Sequence, residues 1–171
     1  MKHNNNNRLF MIGPMGCGKT TVGKQLAEKM GMNFIDIDNS IEKKLKVDIA
    51  TIFAIEGEAG FRKRETDELL LAVKKNHCII STGGGAVLSK HNRDLLSKNG
   101  KVIFLNLSSK NQYNRLKYDK KRPLLKNDNP QKALDEMYIN RLPLYKEIAD
   151  YEFMVDDFAI KDTVGMILQK I

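Results

Sequence analysis

Leu9-Phe10-Met11-Ile12-Gly13-Pro14-Met15-Gly16-Cys17-Gly18-Lys19-Thr20 is the stretch that decides the fold. Its last eight residues fit G-x-x-x-x-G-K-[ST] at every fixed position, with a short apolar run before them and a helix-length segment, Lys19–Met30, behind. Glycines at these places let consecutive backbone N–H groups turn inward and cradle phosphate oxygens, and a helix N-terminus adds partial positive charge. Lys19 can then reach the β- and γ-phosphates, and the Thr20 hydroxyl can bind Mg²⁺. A phosphate loop identifies a nucleotide and leaves the acceptor open. Cys17 sits beside Lys19 in an environment that favours thiolate. A space-filling role is the preferred reading for it, since nothing places a second thiol nearby.

Outward from the loop, apolar runs of strand length recur at Phe34–Ile37, Cys78–Ser81, Val102–Leu105 and Phe153–Val155. Between them lie helix-length segments: Ser40–Lys75 with interruptions, Ser89–Asn99, Lys110–Lys117 and Gln131–Ala149. Asn129 is the expected cap of the last of these, with Pro130 in its first position. Val164, Ile167, Leu168 and Ile171 recur at helical spacing, so the C-terminal helix should pack on the sheet. Alternating strands and helices predict a three-layer α/β/α domain around a parallel sheet. At 171 residues the chain is expected to be one domain, 1–171. Asn4 to Asn7 reads as a frayed polar stub.

Composition narrows the class. Hydrophobic residues at 42% and charged residues at 29% exclude a disordered chain, and no apolar run reaches membrane-spanning length. Two cysteines, Cys17 and Cys78, argue against a disulfide framework, and no signal peptide is evident, so a cytoplasmic location is expected. The net charge of +8 is concentrated: Lys110 to Lys126 holds seven basic residues and one acidic, which leaves only +2 elsewhere. One basic loop suits phosphate contact better than the broad footprint of a nucleic-acid binder.

Four further constellations carry chemistry. The second strand is expected to end in Asp36-Ile37-Asp38, so that Asp36 and Asp38 project together from its C-terminal end on one face. Arg62 and Glu65 lie i, i+3, with Glu58 on the same side, so Glu65 can orient the Arg62 fork toward a carboxylate. Ser81-Thr82 leads into Gly83-Gly84-Gly85, useful where a ligand touches backbone. Arg122-Pro123-Leu124-Leu125 and Arg141-Leu142-Pro143-Leu144-Tyr145 complete the set.

In this order, from Leu9 to the final helix, these features resemble shikimate kinase. The resemblance implies a nucleoside-monophosphate-kinase-like fold with a five-stranded parallel sheet, a substrate region around 36–65 and a lid near 113–127. It implies transfer of the ATP γ-phosphoryl group to the 3-hydroxyl of shikimate, on the route to chorismate and the aromatic amino acids, with ATP and Mg²⁺ as its requirements. Carried over residue by residue, ATP would meet Gly13, Met15, Gly16, Cys17, Gly18, Lys19, Thr20, Thr21, Arg115 and Arg122. Shikimate would meet Asp38, Arg62, Gly83, Gly84, Gly85 and Arg141. Asp38, Lys19 and Arg122 would carry the chemistry, Asp38 as base, and Thr20 and Asp36 would hold the metal. Arg115 resembles the arginine that stacks on adenine. Family members often close the opposite side of that slot with a proline after the last strand, and Asp156 to Asp162 contains none. A monomer with small-molecule partners, no nucleic acid and no membrane is expected. The rival readings are another small-molecule kinase, acting on gluconate or a nucleotide, an ATP-switched nucleic-acid binder, and an inactive family member.

Overall fold

The computed structural model describes residues 7–118 and 129–171. Most of the Asn stub therefore lies outside the described residues, as do Arg122 and the 119–127 portion of the expected lid. The elements run β1 (Arg8–Ile12), α1 (Lys19–Met30), β2 (Asn33–Asp36), α2 (Ile37–Leu45), α3 (Ile49–Ala72), β3 (Cys78–Ser81), a 3₁₀ turn (Ala86–Leu88), α4 (Lys90–Asn99), β4 (Lys101–Asn106), α5 (Ser109–Leu116), α6 (Pro130–Ile148), β5 (Tyr151–Met154) and α7 (Ile160–Lys170). The strands form one sheet in the order β2-β3-β1-β4-β5, and every pairing is parallel. Strand order reverses at β1, so the crevice at its C-terminal end is where such a sheet binds ligands.

Alternation along β1 divides the core in two. Phe10 and Ile12 face a cluster with Ile80, Phe104, Phe61, Leu69, Leu96 and Tyr145, under α2, α3, α4 and α6. Leu9 and Met11 face the other cluster, with Ile79, Ile103, Val22, Leu26, Val164 and Ile167, under α1 and α7. Cys17 belongs to this second cluster and is buried, as is Cys78 in the first; both are free thiols. Of the apolar residues expected on α7, Val164 and Ile167 are buried, whereas Leu168 is exposed, because it falls beyond the stripe that meets α1. Among the described residues no helix is long and apolar enough to cross a membrane.

The element ends show what the apolar runs conceal. Arg8, just before the expected first strand, is a buried part of it. Its guanidinium group donates to Asn99 O at 2.8 Å, Lys75 O at 3.0 Å and the Val73 carbonyl, groups left over where α3 and α4 end. Asn129 caps α6 as expected, accepting from Lys132 N at 3.0 Å. β2 ends earlier than its apolar pattern. Asp36 leaves the ladder to cap α2, its Oδ1 accepting from Asn39 N at 3.1 Å, and Asp38 already lies in the first helical turn. The expectation that both carboxylates share a strand face is therefore corrected: a side-chain cap competed with the strand and won. α3 is broken at Gly57 (φ 68°, ψ −177°), a backbone conformation that residues with a side chain rarely adopt, and its axis is redirected there before Phe61.

Candidate active site

At the C-terminal end of β1, β2 and β3 opens a cavity of about 490 Å³. Met15, Gly16, Gly18, Lys19, Thr20 and Thr21 form one side of it. Asp36, Asp38, Arg62, Arg141 and Gly83 to Gly85 form the other. Residues that lie up to 126 positions apart in sequence are thus gathered at one opening.

The phosphate loop has the geometry its pattern requires. Gly16 and Gly18 take positive φ values of 77° and 95°, which turns the backbone back into the N-terminus of α1. Gly13 lies so close to the Leu105 carbonyl that a Cβ there would overlap it. Lys19 is buried, and its Nζ donates to Gly13 O at 2.8 Å and Pro14 O at 2.9 Å, with Cys17 Sγ at 3.7 Å. The ammonium group is thereby held over the mouth of the loop. Cys17 turns its side chain into the core beneath. Thr20 Oγ1 donates to Asp36 Oδ2 at 2.6 Å, which brings together the two expected metal residues. A hydroxyl and a carboxylate are hard oxygen donors, and Mg²⁺ usually takes only one or two protein ligands, filling its octahedron with waters and phosphate oxygens. The donor set fits that ion.

Opposite the loop, Arg62 forms ion pairs with Glu65 Oε2 at 2.8 Å and Glu58 Oε1 at 3.0 Å. Glu65 is fully buried, so this is not the exposed i, i+3 pair that sequence spacing alone would allow. Burial pushes the Glu65 carboxyl up to about 6; Arg62 and Arg141 pull it down, and the Asp38 charge adds to the rise. Arg141 is also buried, which leaves two guanidinium groups aimed at one cavity. Phe53 and Phe61, with ring centroids 4.9 Å apart, form its apolar wall. Sequence reasoning did not single out Phe53, because a lone aromatic in a helix-length segment carries no signal of what it faces.

The three glycines are needed for space rather than for unusual torsion angles, since none has a positive φ. A Cβ on Gly83 would overlap Glu65 Oε1 and stand 3.1 Å from Asp38 Oδ1; one on Gly85 would overlap the Arg62 guanidinium. Gly84 faces the phosphate loop, where a Cβ would lie 3.3 Å from Met15 N. Thr82 anchors this turn to β1, with both its N and Oγ1 donating to Met11 O, at 3.1 and 3.2 Å.

Arg115 stands apart from the cavity. It bridges the phosphate loop and the segment after β5, donating to Gly16 O at 3.2 Å and Val155 O at 3.0 Å. The proline-free segment is secured by Asp156, whose Oδ1 accepts from Ser108 Oγ at 2.5 Å and Asn111 Nδ2 at 2.6 Å. Burial alone would raise the Asp156 carboxyl, but these donors and the Arg115 charge outweigh it and hold it below the usual carboxylate range.

Residues 15–171 match the family model described as Shikimate kinase. A shikimate kinase of Actinobacillus pleuropneumoniae serotype 5b (strain L20) is 46% identical over 163 residues, covering 95% of this chain and 94% of that protein. The chain belongs to the shikimate kinase family. A solved shikimate kinase from Acinetobacter baumannii, in complex with shikimate, superposes with a TM-score of 0.92 at 41% identity, over 95% of this chain and 90% of that one. Deoxyadenosine kinase from M. mycoides, with bound dATP, shares the fold alone, at 18% identity and a TM-score of 0.59 over 95% of this chain and 98% of that one. This member of the family thus carries a two-sided cavity, with the phosphate loop on one side and two arginines on the other.

Proposed function

We propose that this cleft transfers the γ-phosphoryl group of ATP to the 3-hydroxyl of shikimate, giving shikimate 3-phosphate and ADP for aromatic amino acid biosynthesis. The observation that carries the reading is the composition of one cavity: a phosphate loop with Lys19 faces an aspartate and two guanidinium groups across a space of about 490 Å³. Two positive forks beside the glycine turn and the Phe53–Phe61 wall suit a small acid with one carboxylate. Arg62 and Arg141 grip the shikimate carboxylate, and Glu65 holds Arg62 in orientation. Gly83 to Gly85 let the ring approach the backbone. Asp38 accepts the proton of the attacking hydroxyl.

On the nucleotide side, the backbone of Gly13 to Gly18 cradles the phosphates and Lys19 neutralises charge on the β- and γ-phosphates. Thr21 lies at the same mouth. Thr20 and Asp36, already paired at 2.6 Å, would hold Mg²⁺. Mg²⁺ bound there would offset the charge of the phosphates. Arg115 donates to Gly16 O at the edge of the phosphate loop, and its stacking on adenine rests on the resemblance. So does the role of Arg122 as the closing cation. A monomer in the cytoplasm belongs to the same reading.

The test is ADP release by the purified protein with shikimate, gluconate or nucleoside monophosphates as acceptors. Turnover confined to shikimate, with a 3-phosphate product by NMR, is expected. Preferential turnover of another acceptor would overturn the reading.

A further inference from the structure

Tyr145 lies behind the cavity wall, one helical turn after Arg141 on α6, with its side chain almost fully buried. Its ring stacks on Phe104 of β4, centroids 4.9 Å apart and planes 20° from parallel. A phenylalanine would fill that space equally well, so the hydroxyl needs its own explanation. It donates to the Gly84 carbonyl and lies in the field of the Arg141 guanidinium, whose side chain lines the same small gap one helical turn away. Burial raises the phenol far above its ordinary range, so it remains a donor at any working pH.

Gly84 is the point at which the glycine turn meets the phosphate loop, its Cα packed toward Met15 N and the Gly13 carbonyl. Gly13 O is in turn one of the two carbonyls that hold Lys19. The gap between α6 and the loop, lined by Pro14, Met15, Arg141 and Tyr145 among others, is only about 10 Å³. Packing this close transmits a shift of one wall to the other. Arg141, Tyr145, Gly84, the phosphate loop and Lys19 thus form an unbroken series of contacts from the carboxylate clamp to the nucleotide site.

We propose that the Tyr145 hydroxyl is a positioning group that couples the two substrate sites. When Arg141 is drawn onto the acid, the hydroxyl sets the Gly84 peptide and, through it, the phosphate loop. Each substrate therefore tightens the other, by the same factor in both directions. This inference rests on shikimate as the acceptor, and binding measurements separate a failure of that premise from a failure of the coupling.

The experiment is calorimetric titration of the full chain with shikimate in the absence and presence of ADP and Mg²⁺, for the native protein, Tyr145→Phe and Phe104→Leu. In the native protein the nucleotide should tighten shikimate about 5-fold or more. In Tyr145→Phe that factor should fall below about 2, with each ligand's separate Kd within about 3-fold of native. Phe104→Leu loosens the ring stack and keeps the hydroxyl, so it should lower Tm and preserve the coupling. Coupling that is absent from the native protein, intact in Tyr145→Phe, or lost in both variants alike would overturn the proposal. No shikimate binding to native protein would overturn the acceptor assignment along with it. Should Tyr145→Phe not fold, amide exchange in the native protein decides. Shikimate alone should slow exchange at Met15–Gly18, and an unchanged rate there would refute the coupling.

Discussion

Glu65 shows how one buried charge serves the clamp at the expense of stability. Burial pushes its carboxyl from the ordinary 4.5 up to about 6, so the folded state binds the proton more tightly than the unfolded chain does. The stabilising contribution of the protonated form is complete below about pH 4.5 and is lost as pH rises through about 6. Ionising Glu65 in place therefore opposes folding by about 2 kcal/mol at neutral pH. Denaturant titrations of native protein and Glu65→Gln should show the native-minus-variant stability falling by about that amount from pH 4.5 to pH 7. A flat difference would mean that Glu65 is solvated. The charge is retained because it pairs with Arg62. Arg141 belongs to the same arrangement. Arg141→Lys keeps the charge and loses the planar fork, so shikimate Kd should rise about 10- to 100-fold. ATP Kd measured alone should stay near native, and the opposite pattern would assign Arg141 to the nucleotide.

The break at Gly57 and the glycine turn after β3 place these side chains. A Cβ at Gly57 meets nothing within 4 Å, so Gly57→Ala acts through backbone strain alone and should destabilise by about 1–3 kcal/mol. Thermal melts with shikimate titrations should show that loss together with a weaker shikimate Kd, since Arg62 follows the break. Gly83→Ala forces Glu65 and Asp38 aside, and kcat/KM for shikimate should fall about 10²-fold while ATP binding is kept. Much of this was legible in the chain. α1, with the phosphate loop before it, fits its sequence pattern from end to end, because loop chemistry and apolar run agree there. The ends of β1 and β2 were less legible. Arg8 is buried only because distant carbonyls of α3 and α4 receive it, and Asp36 leaves the strand to cap α2. The reason for three successive glycines was hidden in the same way, since it depends on Arg62, Glu65 and Asp38 arriving from elsewhere in the chain.

Across the whole molecule, the parallel sheet presents two working surfaces at one end. The β1–α1 side carries the phosphate loop, and the β2–α2–α3 side, closed by α6, carries Asp38 and the guanidinium groups of Arg62 and Arg141. They join where Thr20 Oγ1 meets Asp36, two residues before Asp38. Asp38 lines the cavity beside that junction, and the proposed function depends on its accepting the proton of the acceptor hydroxyl there. The most direct measurement is the single-turnover rate of Asp38→Asn at saturating ATP and shikimate, with both Kd values determined on the same preparation. A rate about 10²–10⁴-fold below native, with both substrates still bound, is the predicted result. Near-native turnover would contradict the account.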